Sequence, residues 1–294
     1  MTDQIVTVLG GTGFLGACIV KELVNAGYYV RIACRHPERG PRPESDRLET
    51  IACDIQNEPS LRRALEGSAA MVNAVSLYQE KRGLTFDQIH VQGARTAARC
   101  AREEGVEQQI LFSGIGASSA SASKYVRARA RGEEAARQGF ADTTVLRPGT
   151  LCDRHDGFVS ALEMVTRFPI IPLFGRGETR LQPVYVGDVA AAVRRCIEMP
   201  GTAGRTFELG GGTIYTYRQC IDLVLEQKGS KRVKIPLPFS LWHLLAALLG
   251  RLPQPPLNRD QVILMENDNV VGNNVGTFRD LDIEPRSLES IIGN

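Results

Sequence analysis

The sequence predicts an α/β fold: a parallel sheet with helices on both faces, and a smaller second lobe. Two observations predict it. Short apolar runs alternate with helical patterns through the first half of the 294 residues, which is typical of βαβ units. A glycine-rich turn joins the first apolar run to the first helical pattern. Since crossovers between parallel strands are right-handed, the result is a Rossmann-type, doubly wound sheet.

The alternation assigns each element in turn. The apolar runs predict strands at 5–9, 29–34, 50–53, 70–75, 109–112 and 143–146. A helix follows the glycine turn, and later helices are expected around 58–66, 85–104 and 121–138. Because strands and helices alternate, the sheet should be parallel, with both faces covered.

Beyond residue 150 the regular alternation of strands and helices ends, because prolines interrupt short elements. A helix near 189–199 and a strand at 206–209 still resemble elements of the sheet. We therefore predict a nucleotide-binding domain over 1–150 plus about 183–212. A smaller, discontinuous C-terminal lobe for substrate or partner should comprise about 151–182 plus 213–294. It should cap the carboxyl ends of the strands, where open α/β sheets bind ligands.

Composition excludes several classes of function. The net charge of +2 gives no reason to expect nucleic acid as a partner. Seven scattered cysteines without a CxxC pair, and four histidines, predict no metal site and reduced thiols in a cytoplasm. The first strand begins near residue 4, so we expect no signal or transit peptide. No apolar run reaches the ~18 residues of a membrane span, so membrane contact should be peripheral at most.

The glycine turn predicts a dinucleotide site. Strand, glycine turn and helix occur in the order that binds a pyrophosphate. Glycines permit a tight turn and a close backbone approach, and the helix N-terminus offers N–H groups and a positive dipole end. The alternative is a structural βα turn with an empty site. The residues predicted to bind the phosphates are Gly10, Gly11, Thr12, Gly13, Phe14, Leu15 and Gly16.

The end of the second strand decides which dinucleotide is favoured. NAD sites place a carboxylate there to bind the ribose 2′-hydroxyl, whereas this chain has Arg35. A guanidinium can grip a 2′-phosphate, and Arg39 and Arg42 in the next loop could assist. The sequence thus favours NADP(H). NAD(H) is possible if Arg35 is a solvated loop residue and no 2′ contact forms.

Other strand ends supply further cofactor contacts. Asp54, with Ile55 beside it, follows the third strand and could accept a hydrogen bond from adenine; an ordinary turn aspartate is the alternative. Pro148 should fix the backbone that meets the nicotinamide carboxamide. The small residues at the end of the fourth strand should let a ribose pass close to the backbone: Ala74, Val75 and Ser76.

Besides the glycine turn, several short segments have a recognisable pattern: 91–95 (VQGAR), 113–117 (SGIGA), 146–149 (LRPG), 182–190 (QPVYVGDVA), 208–211 (ELGG), 258–262 (NRDQV) and 268–271 (DNVV). Together they resemble the extended, atypical short-chain dehydrogenase/reductase superfamily. Within it they are similar to the branch that contains the nucleotide-binding accessory subunit of respiratory complex I and its bacterial relatives. The resemblance implies a tightly held NADP(H), and respiratory-chain subunits or a quinone-like ligand as partners.

The same resemblance locates a candidate catalytic set. Active members use Tyr-x-x-x-Lys on a helix, with a serine at the end of the fifth strand. Here Ser113 stands at that strand end, and Tyr125 is followed four residues later by Arg129. Lys124 lies about 100° away around the helix. The set either works with arginine or is a vestige that lines the cofactor pocket. His90 replaces the family asparagine, as a proton relay or as a satisfied buried histidine.

Two further features concern ligands and partners. The segment 240–249 is strongly apolar; it is either a buried helix or an exposed face that docks on a partner or a membrane surface. Arg176 and Arg180 either line the cleft between the lobes or are solvated.

The leading hypothesis is therefore an NADP(H)-binding protein linked to complex I or quinone metabolism, whose cofactor is structural or redox-sensing. The competing hypothesis is an NADPH-dependent reductase or epimerase/dehydratase of a small molecule. A third is a sensor that binds partners in response to NADP(H).

Overall fold

The computed structural model describes residues 4–39, 45–81, 83–154, 157–249 and 257–293. The proposed contacts of Arg39 and Arg42 fall outside the described side chains.

Thirteen strands and ten α-helices lie in this part of the chain. The strands are β1 (Ile5–Leu9), β2 (Tyr29–Cys34), β3 (Leu48–Ala52), β4 (Ser68–Asn73), β5 (Gln108–Phe112), β6 (Thr144–Pro148), β7 (Leu151–Asp153), β8 (Ile170–Phe174), β9 (Arg180–Leu181), β10 (Val184–Tyr185), β11 (Thr206–Leu209), β12 (Tyr215–Thr216) and β13 (Val233–Leu237). The helices are α1 (Phe14–Asn25), α2 (Glu58–Leu65), α3 (Ala94–Glu103), α4 (Lys124–Gly139), α5 (Gly157–Val165), α6 (Val186–Glu198), α7 (Tyr217–Gln227), α8 (Phe239–Leu249), α9 (Arg259–Met265) and α10 (Leu288–Gly293).

Seven strands form one parallel sheet in the order β11-β6-β5-β4-β1-β2-β3. The fold class is thus confirmed as a Rossmann-type α/β fold. The strand order reverses between β1 and β4, since β2 and β3 lie on one side of β1 while β4, β5 and β6 lie on the other. In such sheets the crevice at this reversal binds ligands.

Among the differences from the sequence prediction, two lie beside this crevice. β4 ends at Asn73 rather than at 75, because the Val75 amide turns back to the Asn73 side-chain oxygen at 3.2 Å. The helix expected over 85–104 is in two parts: Asp87–Gly93 is a π-helical segment, and α3 follows it. Segments of π-helix are rare and frequently occur at functional sites.

The buried apolar residues form separate clusters. Both faces of the main sheet are covered, and Leu146, Val193 and Phe207 are fully buried on one of them. A separate cluster joins β7, α5, β8 and α7, with Leu173 and Val224 inside it. From the later chain, Phe278 and Leu281 pack into the core of the main sheet rather than into this second cluster.

Among the described helices, none combines the length and the apolar character that crossing a bilayer requires.

Candidate functional site

A cavity of about 620 Å³ runs along the carboxyl ends of the main-sheet strands, a volume within the usual range for small-molecule sites. The structure brings nearly all of the predicted site residues to its wall. They are Gly10, Thr12, Gly13, Phe14, Leu15, Gly16, Arg35, Asp54, Ile55, Ala74, Val75, Ser76, Ser113, Tyr125, Arg129 and Pro148. Gly11 alone of the predicted set does not line the cavity; a Cβ there would lie 3.1 Å from the Ile32 side chain, behind the turn.

The glycine turn is shaped by close backbone contacts. Gly10 has φ +78°, and a Cβ on it would lie 3.2 Å from the Val75 amide. Gly16 touches the Gly10 carbonyl so closely that a side chain has no room. Gly13 is the N-cap of α1 and has no side chain to occupy the helix end. The first residues of α1 line the cavity, and the unpaired N–H groups at a helix N-terminus would suit an anion bound there.

The ends of β2 and β3 form one end of the cavity. Arg35 is exposed and lines the wall directly after β2. Asp54 lines it after β3, and its carboxylate also accepts from the Gln56 amide at 2.9 Å. Asp54 is therefore a turn aspartate and a wall residue at once. Burial raises the pKa of the Cys53 thiol to about 11, so this wall residue is a neutral thiol at pH 7.

Arg129 organises the opposite end. It is 8% exposed, and Nε and Nη2 both donate to Tyr125 Oη, at 3.2 and 3.1 Å. Nη1 donates to the Phe112 carbonyl and Nη2 to Ser76 Oγ, each at 2.9 Å. These acceptors are all neutral oxygens, so the structure gives the buried guanidinium hydrogen bonds without a counter-charge. A ligand bearing negative charge or hydroxyl oxygens would complement it.

Tyr125 reaches this position because α4 begins directly before it. Ser123 caps the helix, accepting from the Val126 amide at 3.3 Å. The same hydroxyl donates to Asp260 on α9 at 2.6 Å. Since two Arg129 N–H groups donate to Tyr125 Oη, the tyrosine's own proton is free to point into the cavity.

Ser113 places a buried hydroxyl on the cavity wall. It follows β5, is 4% exposed, and its Oγ lacks a hydrogen-bond partner among the described residues. A buried hydroxyl without a partner costs about 1–3 kcal/mol. Because Ser113 lines the cavity, a bound ligand with an acceptor oxygen would remove that cost.

His90 lies behind the cavity, in the π-helical segment. It is 5% exposed, and its Nε2 lies 3.0 Å from the Leu77 carbonyl and 3.3 Å from the Leu77 amide. Burial, reinforced by the nearby Arg129 charge, lowers the pKa of His90 to about 3. The neutral, satisfied histidine was one of the two sequence alternatives, and the geometry favours it over the proton relay.

Sequence reasoning missed part of the wall. Tyr78 stacks on Tyr125 with ring centroids 6.0 Å apart, and Asn269 and Leu264 reach the cavity from the C-terminal segment. The Asn269 side chain approaches the Ile115 carbonyl at 3.4 Å. In the sequence only the family resemblance indicates the segment 268–271, because Leu264 and Asn269 follow the preceding wall residue, Gly157, by more than 100 residues.

Of the two alternatives for Arg176 and Arg180, cleft or solvent, the contacts favour the second. Arg180 pairs with Asp268 at 2.8 Å, and neither Arg176 nor Arg180 is among the described residues that line the cavity.

A further arginine, Arg147 in the LRPG segment, forms an ion pair with the buried Glu133 of α4 at 2.7 Å. This ion pair ties β6 to the helix that carries Tyr125 and Arg129.

The architecture and the turn define a dinucleotide-binding protein, and comparison with known proteins agrees. The sequence profile described as NAD(P)H-binding matches residues 10–200. The chain belongs to this NAD(P)H-binding family.

The chain is also similar to individual relatives in sequence and to a solved structure in fold. The chain is 30% identical over 302 residues to the mitochondrial NADH dehydrogenase (ubiquinone) 1 alpha subcomplex subunit 9 of Arabidopsis thaliana, covering 97% of this chain and 75% of the relative. The relative from Rattus norvegicus is 29% identical, with 98% and 78% covered. An NADPH-dependent quinone oxidoreductase of Escherichia coli, complexed with NADPH, has the same fold, with a TM-score of 0.79, 17% identity and 98% of each chain covered.

The buried state of His90 predicts a pH dependence of stability. The pKa is about 3 in the folded protein against an ordinary 6.5, so the unfolded chain takes up a proton that the folded chain does not. The contribution is complete above pH 6.5 and is lost as the pH falls toward 3. Between pH 7 and 5.5 the free energy of unfolding should fall by about 1 kcal/mol more than in His90→Gln.

Urea denaturation at the two pH values measures this difference. His36→Gln is the matched control, because it makes the same substitution at an exposed position. An equal loss of stability in His90→Gln and the unsubstituted protein would show that His90 is protonated when folded.

Proposed function

We propose that the protein holds NADP(H) in this cavity, with weak or no ordinary dehydrogenase turnover, and that it acts beside the quinone-dependent respiratory chain. The larger lobe, 1–150 plus about 183–212, would hold the cofactor. One observation carries the proposal: a complete dinucleotide cradle is combined with a buried, hydrogen-bonded Arg129 where turnover would use a lysine.

The residues of the wall would hold the cofactor in two halves. The α1 amides would donate to the pyrophosphate, and Arg35 to the 2′-phosphate that distinguishes NADP(H) from NAD(H). Asp54 and Ile55 would meet the adenine. Beyond the reversal in strand order, Ser76, Tyr125 and Arg129 would meet the second ribose, and Pro148 the carboxamide. When bound, the cofactor supplies or accepts a hydride.

Arg129 explains why turnover should be weak. A tyrosine that acts as a general acid has to recover its proton after each cycle. The lysine of the usual motif can release a proton, but a guanidinium cannot do so near neutral pH. Arg129 is also fixed by contacts to Phe112 and Ser76, so it can hold Tyr125 in place without relaying its proton.

The partners follow from the relatives. The two curated relatives reported above are named as subunits of ubiquinone-dependent NADH dehydrogenase, and the chain spans at least three quarters of each. This supports respiratory-chain subunits or a quinone-like ligand as partners. The balanced charge and absence of a spanning helix among the described residues suit a cytoplasmic location, peripheral on the inner face of the cell membrane.

A second candidate is supported by Ser113. Its buried, unpartnered hydroxyl lies on the same wall as Tyr125, and the two could polarise a carbonyl oxygen held between them. Around them the wall is aromatic and aliphatic, with Tyr78, Leu84 and Leu264 on it. An NADPH-dependent reductase of an apolar carbonyl compound is therefore the alternative function.

Removing the Arg35 guanidinium tests the cofactor preference. The protein should bind NADPH more tightly than NADH, and Arg35→Ser should weaken NADPH binding about tenfold or more, since a charge-assisted contact contributes about 1.5–3 kcal/mol. NADH binding should hardly change. Isothermal titration calorimetry with both nucleotides measures this. Equal affinities, or tighter NADH, in the unsubstituted protein would contradict the preference.

Restoring the lysine tests the cause of weak turnover. Arg129→Lys should raise the rate of NADPH oxidation by a soluble quinone at least about tenfold, as expected of a restored acid–base step. The increase should disappear in Arg129→Lys combined with Tyr125→Phe. A fast reaction in the unsubstituted protein, or no gain with lysine while NADPH still binds, would contradict the proposed role of Arg129.

Tyr125→Phe separates the two candidate functions. If the protein is a reductase, this substitution should abolish NADPH turnover, because it removes the proton donor, while NADPH binding persists. Steady-state turnover and nucleotide affinity are measured on the same preparation. Unchanged turnover would remove Tyr125 from the mechanism, and turnover that is negligible before substitution favours the holding function.

A further inference from the structure

The second lobe presents an apolar sheet face to solvent. β8 and β13 pair in parallel, with Ile170 beside Val233 and Pro172 beside Ile235. On β8 the alternate residues, Ile171 and Leu173, are fully buried. The outward Ile170, Val233 and Ile235 are 40–62% exposed. An outward strand face is ordinarily polar, so this face is unusual.

Helix α8 follows β13 directly and carries exposed leucines of its own. Its inner side packs on β8, since Trp242 Nε1 donates to the Leu173 carbonyl at 3.0 Å and the indole stacks on Phe174. Helical spacing places Leu241, Leu244 and Leu248 together on the opposite side, where they are 37–55% exposed. A helix that is apolar on both sides normally has both sides covered.

We call the exposed residues of these elements the apolar face; Phe168, just before β8, belongs to it too. The face consists of Phe168, Ile170, Val233, Ile235, Leu241, Leu244 and Leu248.

Exposed basic residues lie beside the apolar face, although two of the nearby lysines are paired with carboxylates, Lys228 with Glu163 and Lys234 with Asp222. Between Glu226 and Asp260 the sequence contains six basic residues and no acidic one, although the whole chain has a net charge of only +2. Arg167 directly precedes Phe168, Lys231 lies two residues before Val233, and both are exposed. A cationic border around an apolar surface complements an anionic, apolar partner.

Helix α9 connects α8 with the cavity wall. Leu264 of α9 lines the cavity and is 40% exposed. The residue after α9, Glu266, has a carboxylate oxygen 2.9 Å from His243 Nε2 of α8.

We propose that the apolar face docks on an anionic phospholipid bilayer. The leucines and the sheet residues enter the boundary between headgroups and acyl chains, while Arg167 and Lys231 bind the phosphates. Such interfacial attachment needs no spanning helix. The proposal uses no residue of the phosphate cradle, so its failure would leave the cofactor proposal standing, and the reverse also holds.

Sedimentation with lipid vesicles tests it, using the full chain with NADPH. Vesicles of phosphatidylcholine mixed with phosphatidylglycerol should retain the protein, and pure phosphatidylcholine should retain much less. Each cation near an anionic surface contributes roughly fivefold to partitioning, so Arg167→Gln with Lys231→Gln should weaken binding roughly 25-fold. Leu244→Ser with Leu248→Ser should weaken it at least about tenfold.

Matched controls make the result decisive. Lys21→Gln with Arg102→Gln removes the same charge from exposed positions on α1 and α3, and it should bind vesicles like the unsubstituted protein. An unchanged far-UV circular dichroism spectrum and an unchanged thermal midpoint in every variant show that the fold is intact.

Several outcomes would overturn the proposal. They are a failure to bind anionic vesicles, equal binding to neutral vesicles, and face variants that bind as well as the control. A lipid-free dimer that the leucine substitutions dissociate would also overturn it, because a second copy would then cover the face. So would capture by an acidic protein that outcompetes the vesicles.

Discussion

The packing of β1 against the start of α1 is the constraint on which the site depends. A side chain on Gly16 would overlap the Gly10 carbonyl and would approach Gly11 Cα to 2.8 Å. Only glycine lets the helix begin so close to the strand, and this proximity places the first residues of α1 on the cavity wall, where a helix N-terminus suits an anion. Gly10, with φ +78°, bends the chain at the same point and leaves room beside Val75.

A second constraint acts at the far end of the cavity, through Arg129. Its guanidinium joins three elements, because it donates to Phe112 at the end of β5, to Ser76 after β4 and to Tyr125 on its own helix. The Arg147–Glu133 ion pair holds the same helix against β6. The structure therefore fixes Tyr125 firmly, with a charge that cannot deliver protons. Binding the cofactor requires fixed wall residues, whereas turnover also requires a group that returns a proton to Tyr125. Arg129 meets the first requirement and, as a guanidinium, does not meet the second.

The sequence predicts the main sheet well because the signals for each strand and turn lie within a few neighbouring residues. Apolar runs and glycines identify β1, the turn and α1, and all seven sheet strands were predicted to within a few residues. The structure differs from the sequence prediction where a side chain or a distant segment determines where an element ends or which residues line the cavity. Asn73 ends β4 through its own side-chain oxygen, and the π-helical segment 87–93 has no simple periodic signature. Asn269 and Leu264 join the cavity wall only through the tertiary fold, and the exposure of the α8 leucines could not be distinguished from burial by pattern alone.

The account centres on a site that holds NADP(H) without consuming it quickly. Native mass spectrometry of the purified protein, followed by identification of the released nucleotide, tests this most directly. The account predicts one NADP(H) per chain, carried through purification and still bound after incubation with a soluble quinone. A chain that purifies without nucleotide and binds none when it is added, or one that carries NAD(H), would contradict it.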